Sequence, residues 1–161
     1  MSELTTCLWF DTQGEDAARF YVDLFPNSRL GSTVPYAQGE RAGQPMTVDF
    51  ELNGSKFVAL NGGPDFTFSE AISFQIPCAD QAEVDHYWNA LIAGGGEEGP
   101  CGWLRDRYGL SWQIVPRALT ELLSDPDRAK SQRVMAAMLE MGKIDVAELE
   151  RAYSGDAVPV G

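Results

Sequence analysis

The side chains that could bind a metal ion or act as acids and bases are few in this sequence. Asp49 and Glu51 lie two residues apart in an alternating stretch, so both carboxylates point to one face of a predicted strand. They could ligate a cation together, although such pairs more often form a solvated or hydrogen-bonded strand face. The single histidine, His86, falls on a predicted helix, where we expect it at the solvent margin and away from any site.

The candidate nucleophiles have no activating neighbours in the sequence. Cys7, Cys78 and Cys101 are too far apart to suggest a zinc knuckle or a redox pair, and none stands beside a cation that would favour the thiolate. We expect three buried free thiols in a reducing compartment. Ser111 has no histidine near it in sequence, so no nucleophile–base pair is predicted.

Length and charge narrow the class of protein and its partners. The 161 residues suit one compact domain, or two small modules that share a core. The formal charge of −12 argues against nucleic acid or an anionic membrane as a partner, because both need a cationic face, but it permits a cationic ligand. No apolar run approaches the ~20 residues that cross a bilayer, and no signal peptide is recognisable. We therefore expect a cytoplasmic protein with a small-molecule ligand.

The first half of the chain predicts the order β-α-β-β-β. An apolar stripe at a spacing of three to four residues identifies the helix, and strict alternation identifies the third strand. Asn53-Gly54 is a strong signal for a two-residue hairpin. The predicted elements are a strand at 4–10, a helix at 15–25, and strands at 29–36, 46–52 and 56–60.

The second half repeats this order, which indicates an internal duplication. Asp80 predicts a helix N-cap, and Glu83 completes a capping box. Asp106 opens a turn in which Gly109 supplies the residue of positive φ. The predicted elements are a strand at 73–78, a helix at 81–93, a short strand at 97–99 and a hairpin over 102–115.

The last strand of that hairpin has two different faces. One face is apolar and can pack on helices. The other carries the hydroxyl of Ser111 and the carboxamide of Gln113, and a buried face holds such groups only if something satisfies them.

The remainder of the chain predicts a helical tail. Asp125-Pro126 reads as an N-cap followed by a first-turn proline, and it begins a helix that runs to about residue 141. Asp145 caps a last short helix. We predict a single structural unit made of paired modules over 1–116 (about 1–62 and 71–116) and the tail over 117–161.

Paired β-α-β-β-β modules resemble the vicinal oxygen chelate superfamily, which includes glyoxalase I, extradiol dioxygenases and bleomycin-resistance proteins. Several motifs are similar to its PhnB-like branch, often catalogued as a demethylubiquinone methyltransferase-like domain, over nearly the whole chain. These motifs are CLWFDTQGEDAARFYVDLFPNS, MTVDFELNG, LNGGPDFTFSEAISFQ, CGWLRDRYGLSWQIVPRAL and the tail SDPDRAKSQRVMAAMLEMGKIDVAELERAY. The resemblance implies an α+β fold in which two βαβββ modules form a curved mixed sheet, with C-terminal helices. It also implies a homodimer, for which a Met-rich face of the tail offers an apolar surface.

Many members of that superfamily bind a divalent metal in a cup formed by the two sheets, through His, Glu or Gln. The corresponding positions here fall near Thr5, at Val58 or Ala59, at Ala71 or Ser73, and at Gln113. Only Gln113 could coordinate, and a neutral amide is a poor lone ligand, so we predict neither a metal site nor a cofactor. The residues expected to line the cup are Trp9, Asn61, Trp103, Arg105 and Gln113, together with Asp49 and Glu51.

Three functions remain open on these grounds. The first is a small-molecule binding protein, or an enzyme of unknown reaction, with a metal-free cup. The second is sequestration of a cationic ligand, as in bleomycin-resistance proteins. The third is a methyltransferase acting on a quinone-type substrate, for which Gly62-Gly63-Pro64 and Gly94-Gly95-Gly96 are the glycine-rich candidates. A turn and a helix cap explain those two segments better. A metalloenzyme is a minor fourth hypothesis.

Overall fold

The computed structural model describes residues 4–156, which form eight strands and five helices. The first elements are β1 (Thr6–Phe10), α1 (Gly14–Leu24), β2 (Arg29–Pro35), β3 (Pro45–Leu52) and β4 (Ser55–Asn61). They are followed by β5 (Phe74–Cys78), α2 (Gln81–Ile92), β6 (Glu97–Glu98), β7 (Trp103–Arg105) and β8 (Ser111–Pro116). The tail contains α3 (Arg117–Leu123), α4 (Arg128–Leu139) and α5 (Val146–Ser154).

The strands form two mixed sheets of four, each with the same topology. Their orders are β1-β4-β3-β2 and β5-β8-β7-β6, with one parallel pair at the edge of each sheet and antiparallel pairs elsewhere. The predicted α+β fold, the duplicated βαβββ order and the C-terminal helices are therefore confirmed.

The chain divides between Phe68 and Ser69 into two compact units. The tail helices belong to the second unit. That the modules and the tail form one structural unit stays a prediction.

In the first unit, α1 packs its small residues on the sheet. Ala17 and Ala18 are fully buried, which lets the helix approach closely, and Tyr21 stacks on Phe50. Phe50 in turn stacks on Phe57 of the neighbouring strand with ring centroids 5.2 Å apart. Burying these rings provides much of the first unit's stabilisation, since each aromatic side chain removes a large apolar area from water.

In the second unit, α2 covers the apolar face of the β5–β8 sheet. The predicted capping at its start is confirmed: Asp80 Oδ1 accepts from the Glu83 backbone N–H at 3.0 Å. The Glu83 carboxylate reaches back one residue further than expected, to the N–H of Ala79 at 2.7 Å. Trp112 and Ile114 of β8 are almost completely buried, as the alternation predicted, and so are Val84, Trp88 and Leu91 of α2, whereas the predicted helix residues Tyr87 and Ile92 are only half-buried.

The side chain of Gln81, at the start of α2, links the tail to the rest of the second unit. Its Nε2 donates to the carbonyl of Ile144 at 3.1 Å, and its Oε1 accepts from the N–H of Val146 at 2.8 Å. Ile144 itself is fully buried in a cluster with Leu119, Val134 and Leu149. The tail thus adds a second small core to this unit.

Two expectations about local structure need correction. The helix α3 was not predicted, because it follows Pro116 directly and has no side-chain cap that the sequence could reveal. The cap of α4 is Asp127, whose Oδ1 accepts from Ala129 and Lys130, whereas Asp125 accepts from the Asp127 N–H in the preceding turn. The predicted cap of α5 by Asp145 is confirmed.

The prediction of three buried free thiols is correct only in part. All three cysteines are free, but Cys7 is exposed because it alternates with the buried Leu8 on an edge strand. Cys78 is buried and Cys101 is half-buried.

None of the five helices within residues 4–156 has the length and hydropathy that a membrane-spanning segment requires.

Candidate functional site

The face of the β5–β8 sheet that points away from α2 presents a row of polar and aromatic side chains. Trp103 pairs with Gln113 across β7 and β8, and Arg105 pairs with Ser111. Because cross-strand partners point to the same side, these four side chains share one face. The opposite face holds buried residues, such as Leu104 and Trp112, and packs on α2.

Part of this face is hollowed into a cavity of about 390 Å³, which we call the Trp103 cavity. This volume lies in the range of sites that bind small organic molecules. The cavity is lined entirely by residues of the second unit. Its functional side chains are those of Glu70, Glu97, Trp103, Arg105 and Ser111.

Ser111 is the unsatisfied group of this cavity. Its residue is completely buried, and its Oγ is the one buried side-chain nitrogen or oxygen among residues 4–156 without a hydrogen-bond partner. A buried hydroxyl without a partner costs about 1–3 kcal/mol. The cavity therefore offers a hydrogen-bonding group that the folded chain itself does not use.

Arg105 lies at the open side of the cavity and forms ion pairs with two carboxylates. Its Nη2 bonds the Oε2 of Glu97, and its Nη1 lies 3.6 Å from the Oε1 of Glu70. The side chain of Arg105 is 46% exposed, so these pairs add little to stability. Their role is geometric, because they hold the guanidinium against the acidic rim.

Glu98 borders the cavity through its backbone, but its side chain points to the α2 face, as does that of Leu104, its partner across β6 and β7. Its Oε1 accepts from the indole Nε1–H of the buried Trp88 at 3.0 Å. A neutral indole orients the carboxylate without compensating its charge.

Gln113 has its carboxamide engaged beside the cavity. Its Nε2 donates to Ser73 Oγ at 2.8 Å, and its Oε1 accepts from Gln75 at 3.4 Å. These two partners lie on or next to β5, the strand parallel to β8. The amide is thus oriented along the sheet.

The donor chemistry of this face does not fit a divalent metal. Of the positions at which the resemblance implies ligands, Gln113 supplies a neutral oxygen and Ser73 a hydroxyl that already accepts from Gln113. Among residues 4–156, no group of three or more His, Cys, Asp or Glu side chains could hold a metal ion.

The remaining predicted site residues lie in the first unit and make contacts there. Trp9 is half-buried, donates from Nε1 to the Gly63 carbonyl at 2.9 Å and meets Phe66 edge-on. Asn61 is buried; its Oδ1 accepts from the Gly14 N–H at 2.7 Å, and its Nδ2 donates to the Pro45 carbonyl. Through these two hydrogen bonds, Asn61 connects its own strand, β4, to α1 and to β3.

Asp49 and Glu51 share a strand face, as the alternation predicted. Asp49 is exposed and accepts from Ser32 Oγ at 2.6 Å, while Glu51 pairs with Arg29. Both line a shallow cavity of about 290 Å³ that also includes Lys56. Each carboxylate thus has a partner on its own sheet.

The structure brings only part of the predicted site together. Trp103 and Arg105 share the Trp103 cavity, Gln113 lies on the same sheet face, and the other four predicted residues belong to the first unit. Sequence reasoning missed the two carboxylates of Glu70 and Glu97, which come from a loop and the short strand β6. Sequence reasoning also missed Ser111 as a site residue. The available signal was a hydroxyl on a strand whose other face is apolar. His86 is exposed on α2, as expected.

A known family model matches most of the chain. The family model described as 3-demethylubiquinone-9 3-methyltransferase matches residues 2–115. No curated protein matches the sequence significantly.

Several solved structures share this fold. A PhnB protein from Bacillus cereus is 30% identical over 71% of this chain and 99% of its own, with a TM-score of 0.63. Protein PA1353 from Pseudomonas aeruginosa is 17% identical over 72% of this chain and 98% of its own, with a TM-score of 0.61. The fosfomycin resistance protein FosX from Mesorhizobium loti is 14% identical over 77% and 98% of the two chains, with a TM-score of 0.55, and shows likeness of fold alone.

Proposed function

We propose that this chain, which belongs to the PhnB-like branch of the vicinal oxygen chelate superfamily, binds a small organic molecule in the Trp103 cavity. The observation that carries the proposal is the buried Ser111 hydroxyl, which lines the cavity and has no partner within the described residues. A ligand with a polar group would satisfy it on binding.

The composition of the cavity wall supports this proposal. Trp103 and Pro100 supply apolar surface, and the indole of Trp103 is only half-buried, so a ligand would remove more of it from water. Arg105, Glu97 and Glu70 supply charged groups at the rim. An apolar wall with a few fixed polar groups is the usual composition of a small-molecule site.

A fragment screen with matched variants tests this proposal. We expect aromatic fragments detected by saturation-transfer NMR to bind the wild-type chain and to lose most of their signal in Trp103→Ala. Phe66→Ala is the matched control, since Phe66 is an exposed aromatic residue of the first unit. Fragments that bind Trp103→Ala as well as wild type, or a screen without hits, would contradict the proposal.

Methyl transfer is the second candidate, because the matching family model is described as a methyltransferase. It would require a sulfonium methyl donor, and the glycine-rich segments do not fit one. A Cβ at Gly62 would lie 2.3 Å from the Trp9 ring, so this glycine allows close packing of the indole. The backbone N–H of Gly14, at the start of α1, already donates to Asn61. Calorimetric titration with S-adenosylmethionine tests this candidate, which predicts saturable binding.

We also propose that the protein acts as a homodimer in a reducing compartment such as the cytoplasm. The dimer is supported by Met135 and Leu139, which lie one turn apart on α4 and are 42% and 58% exposed. The compartment is supported by the three free thiols. Light scattering that gives the mass of one protomer would contradict the dimer.

A further inference from the structure

We infer that the Trp103 cavity selects neutral ligands that carry a hydrogen-bond acceptor, such as a carbonyl oxygen, on an apolar ring. This inference rests on the proposed function and adds the chemistry by which the ligand is recognised. It starts from the side chains of the cavity wall that can still donate hydrogen bonds. Ser111, Arg105 and Trp103 lie on one face of the sheet and line this one cavity.

The hydroxyl of Ser111 is the donor that the fold leaves unused. The residue is completely buried, and its Oγ has no hydrogen-bond partner among the described residues. A ligand acceptor that reaches this hydroxyl would form a bond without first breaking one within the protein. Conversely, removal of the hydroxyl should not destabilise the fold, because the fold makes no bond to it.

Arg105 keeps donors that its ion pairs do not use. Its Nη2 bonds Glu97, whereas its Nη1 lies 3.6 Å from Glu70 Oε1, which is too long for a good hydrogen bond. A guanidinium has five N–H donors, and its side chain makes no other hydrogen bond within residues 4–156. Because Arg105 is the cross-strand partner of Ser111, both sets of donors lie in one row of the sheet.

The charges of the wall favour a neutral acceptor over an ion. Glu97 and Glu70 both pair with Arg105, so the guanidinium has no surplus charge with which to compensate a ligand carboxylate. An ammonium ion has donors and no acceptor, so it could not bond to the N–H groups of Arg105. A neutral acceptor can use these N–H groups while both ion pairs stay in place.

Trp103 provides the apolar surface for the ring of such a ligand. Its indole is half-buried, so an aromatic ring can pack against it and remove more of it from water. Its Nε1–H makes no hydrogen bond within the part of the chain that the structure describes, and it is a donor without acceptor capacity. The buried hydroxyl, the guanidinium and the indole therefore favour the same ligand chemistry.

The test uses four probes that share a benzene ring: acetophenone, with a carbonyl acceptor; toluene, without a polar group; benzylamine, which is protonated at neutral pH; and benzoate. Their dissociation constants for the full chain are measured by NMR titration. We expect acetophenone to bind roughly three- to tenfold more tightly than toluene, as one hydrogen bond would provide, and more tightly than either ion. If toluene or an ion binds as tightly as acetophenone, the acceptor preference is overturned while small-molecule binding stands. Absence of binding by all four would overturn both.

Ser111→Ala makes the test specific to the buried hydroxyl. We expect this variant to bind acetophenone severalfold more weakly, to bind toluene as wild type does, and to unfold at an equal or higher urea concentration. The control Ser55→Ala removes an exposed hydroxyl from β4 in the first unit and should leave both affinities unchanged. Unchanged binding of acetophenone by Ser111→Ala, or an equal loss of affinity for both probes, would overturn the inference.

Discussion

The indole Nε1–H of Trp112 donates to Oδ2 of Asp106 at 2.9 Å, and both residues are only 3% exposed. The other carboxylate oxygen accepts from the backbone N–H groups of Tyr108 and Leu110. Asp106 thus closes the β7–β8 turn, as its position before Gly109 predicted, and ties that turn to the core beneath the Trp103 cavity.

Asp106→Asn should lower the free energy of unfolding by about 2 kcal/mol, because its amide nitrogen would face the Trp112 donor in a buried position. Urea unfolding of the variant against wild type measures this change. Asp23→Asn, an exposed change on α1, is the control and should alter stability by less than about 0.5 kcal/mol. Equal stability of the two variants would mean that the Asp106–Trp112 bond contributes nothing.

Gly62→Ala should destabilise the first unit, because the new Cβ would lie 2.3 Å from Cζ2 of Trp9. We expect a loss of about 1–3 kcal/mol from overpacking, together with a change in Trp9 fluorescence as its bond to Gly63 is strained. Gly142→Ala meets only an ordinary contact, at 3.5 Å from the Gly99 carbonyl, and serves as the control. Equal free energies of unfolding for Gly62→Ala and Gly142→Ala would contradict the close approach of the Trp9 ring to Gly62.

Cys78 should react with iodoacetamide far more slowly than Cys7. Burial, followed by the nearby Glu83 and Asp80 carboxylates, raises the pKa of the Cys78 thiol to about 12, and its Sγ–H donates to the carbonyl of Ile76. Cys7 is exposed and supplies the comparison within one molecule. Mass spectrometry of timed samples at mildly alkaline pH resolves the two sites, and denaturant should make their rates similar. Rapid alkylation of Cys78 in the folded protein would refute its buried, protonated state.

The bond from Tyr153 OH to Asp125 Oδ2, at 2.7 Å, should make the tail less stable in acid. This bond, with a smaller contribution from the Asp127 N–H, lowers the pKa of Asp125 from 3.8. A lowered folded-state pKa stabilises the fold above 3.8, and that stabilisation is lost as the pH falls through the folded-state value.

A double-mutant cycle of Tyr153→Phe and Asp125→Asn isolates this coupling. We expect a favourable coupling free energy at neutral pH, measured by urea unfolding, which disappears well below pH 3.8. A coupling that persists unchanged in acid would show that the charged form of Asp125 is not what Tyr153 stabilises.

More of the fold than of the candidate site could be predicted from the sequence. Alternation along 110–115, the Asp80 cap and the Asn53-Gly54 hairpin depend on residues close in sequence, and the structure confirms them. The start of α4 was misplaced because Asp125 and Asp127 are both good caps around one proline, and only tertiary context chooses between them.

The site depends on contacts between distant segments. Glu70 and Glu97 meet through Arg105, although they are far apart in sequence and none of them follows a recognisable motif. The resemblance supplied candidate positions such as Asn61, but the structure gives that side chain two backbone partners, Gly14 and Pro45. Which of the predicted residues contact a ligand stays a prediction.

The most direct test of the Trp103 cavity is a titration that resolves the four indole N–H resonances of the protein. Three of these indoles have acceptors in the fold: Trp9 on Gly63, Trp88 on Glu98 and Trp112 on Asp106. On addition of an aromatic fragment that binds in the screen, we predict a saturable shift of the Trp103 resonance, assigned by its loss in Trp103→Phe, with essentially no change at Trp9. A saturable shift at Trp9 with an unmoved Trp103 resonance would contradict the account.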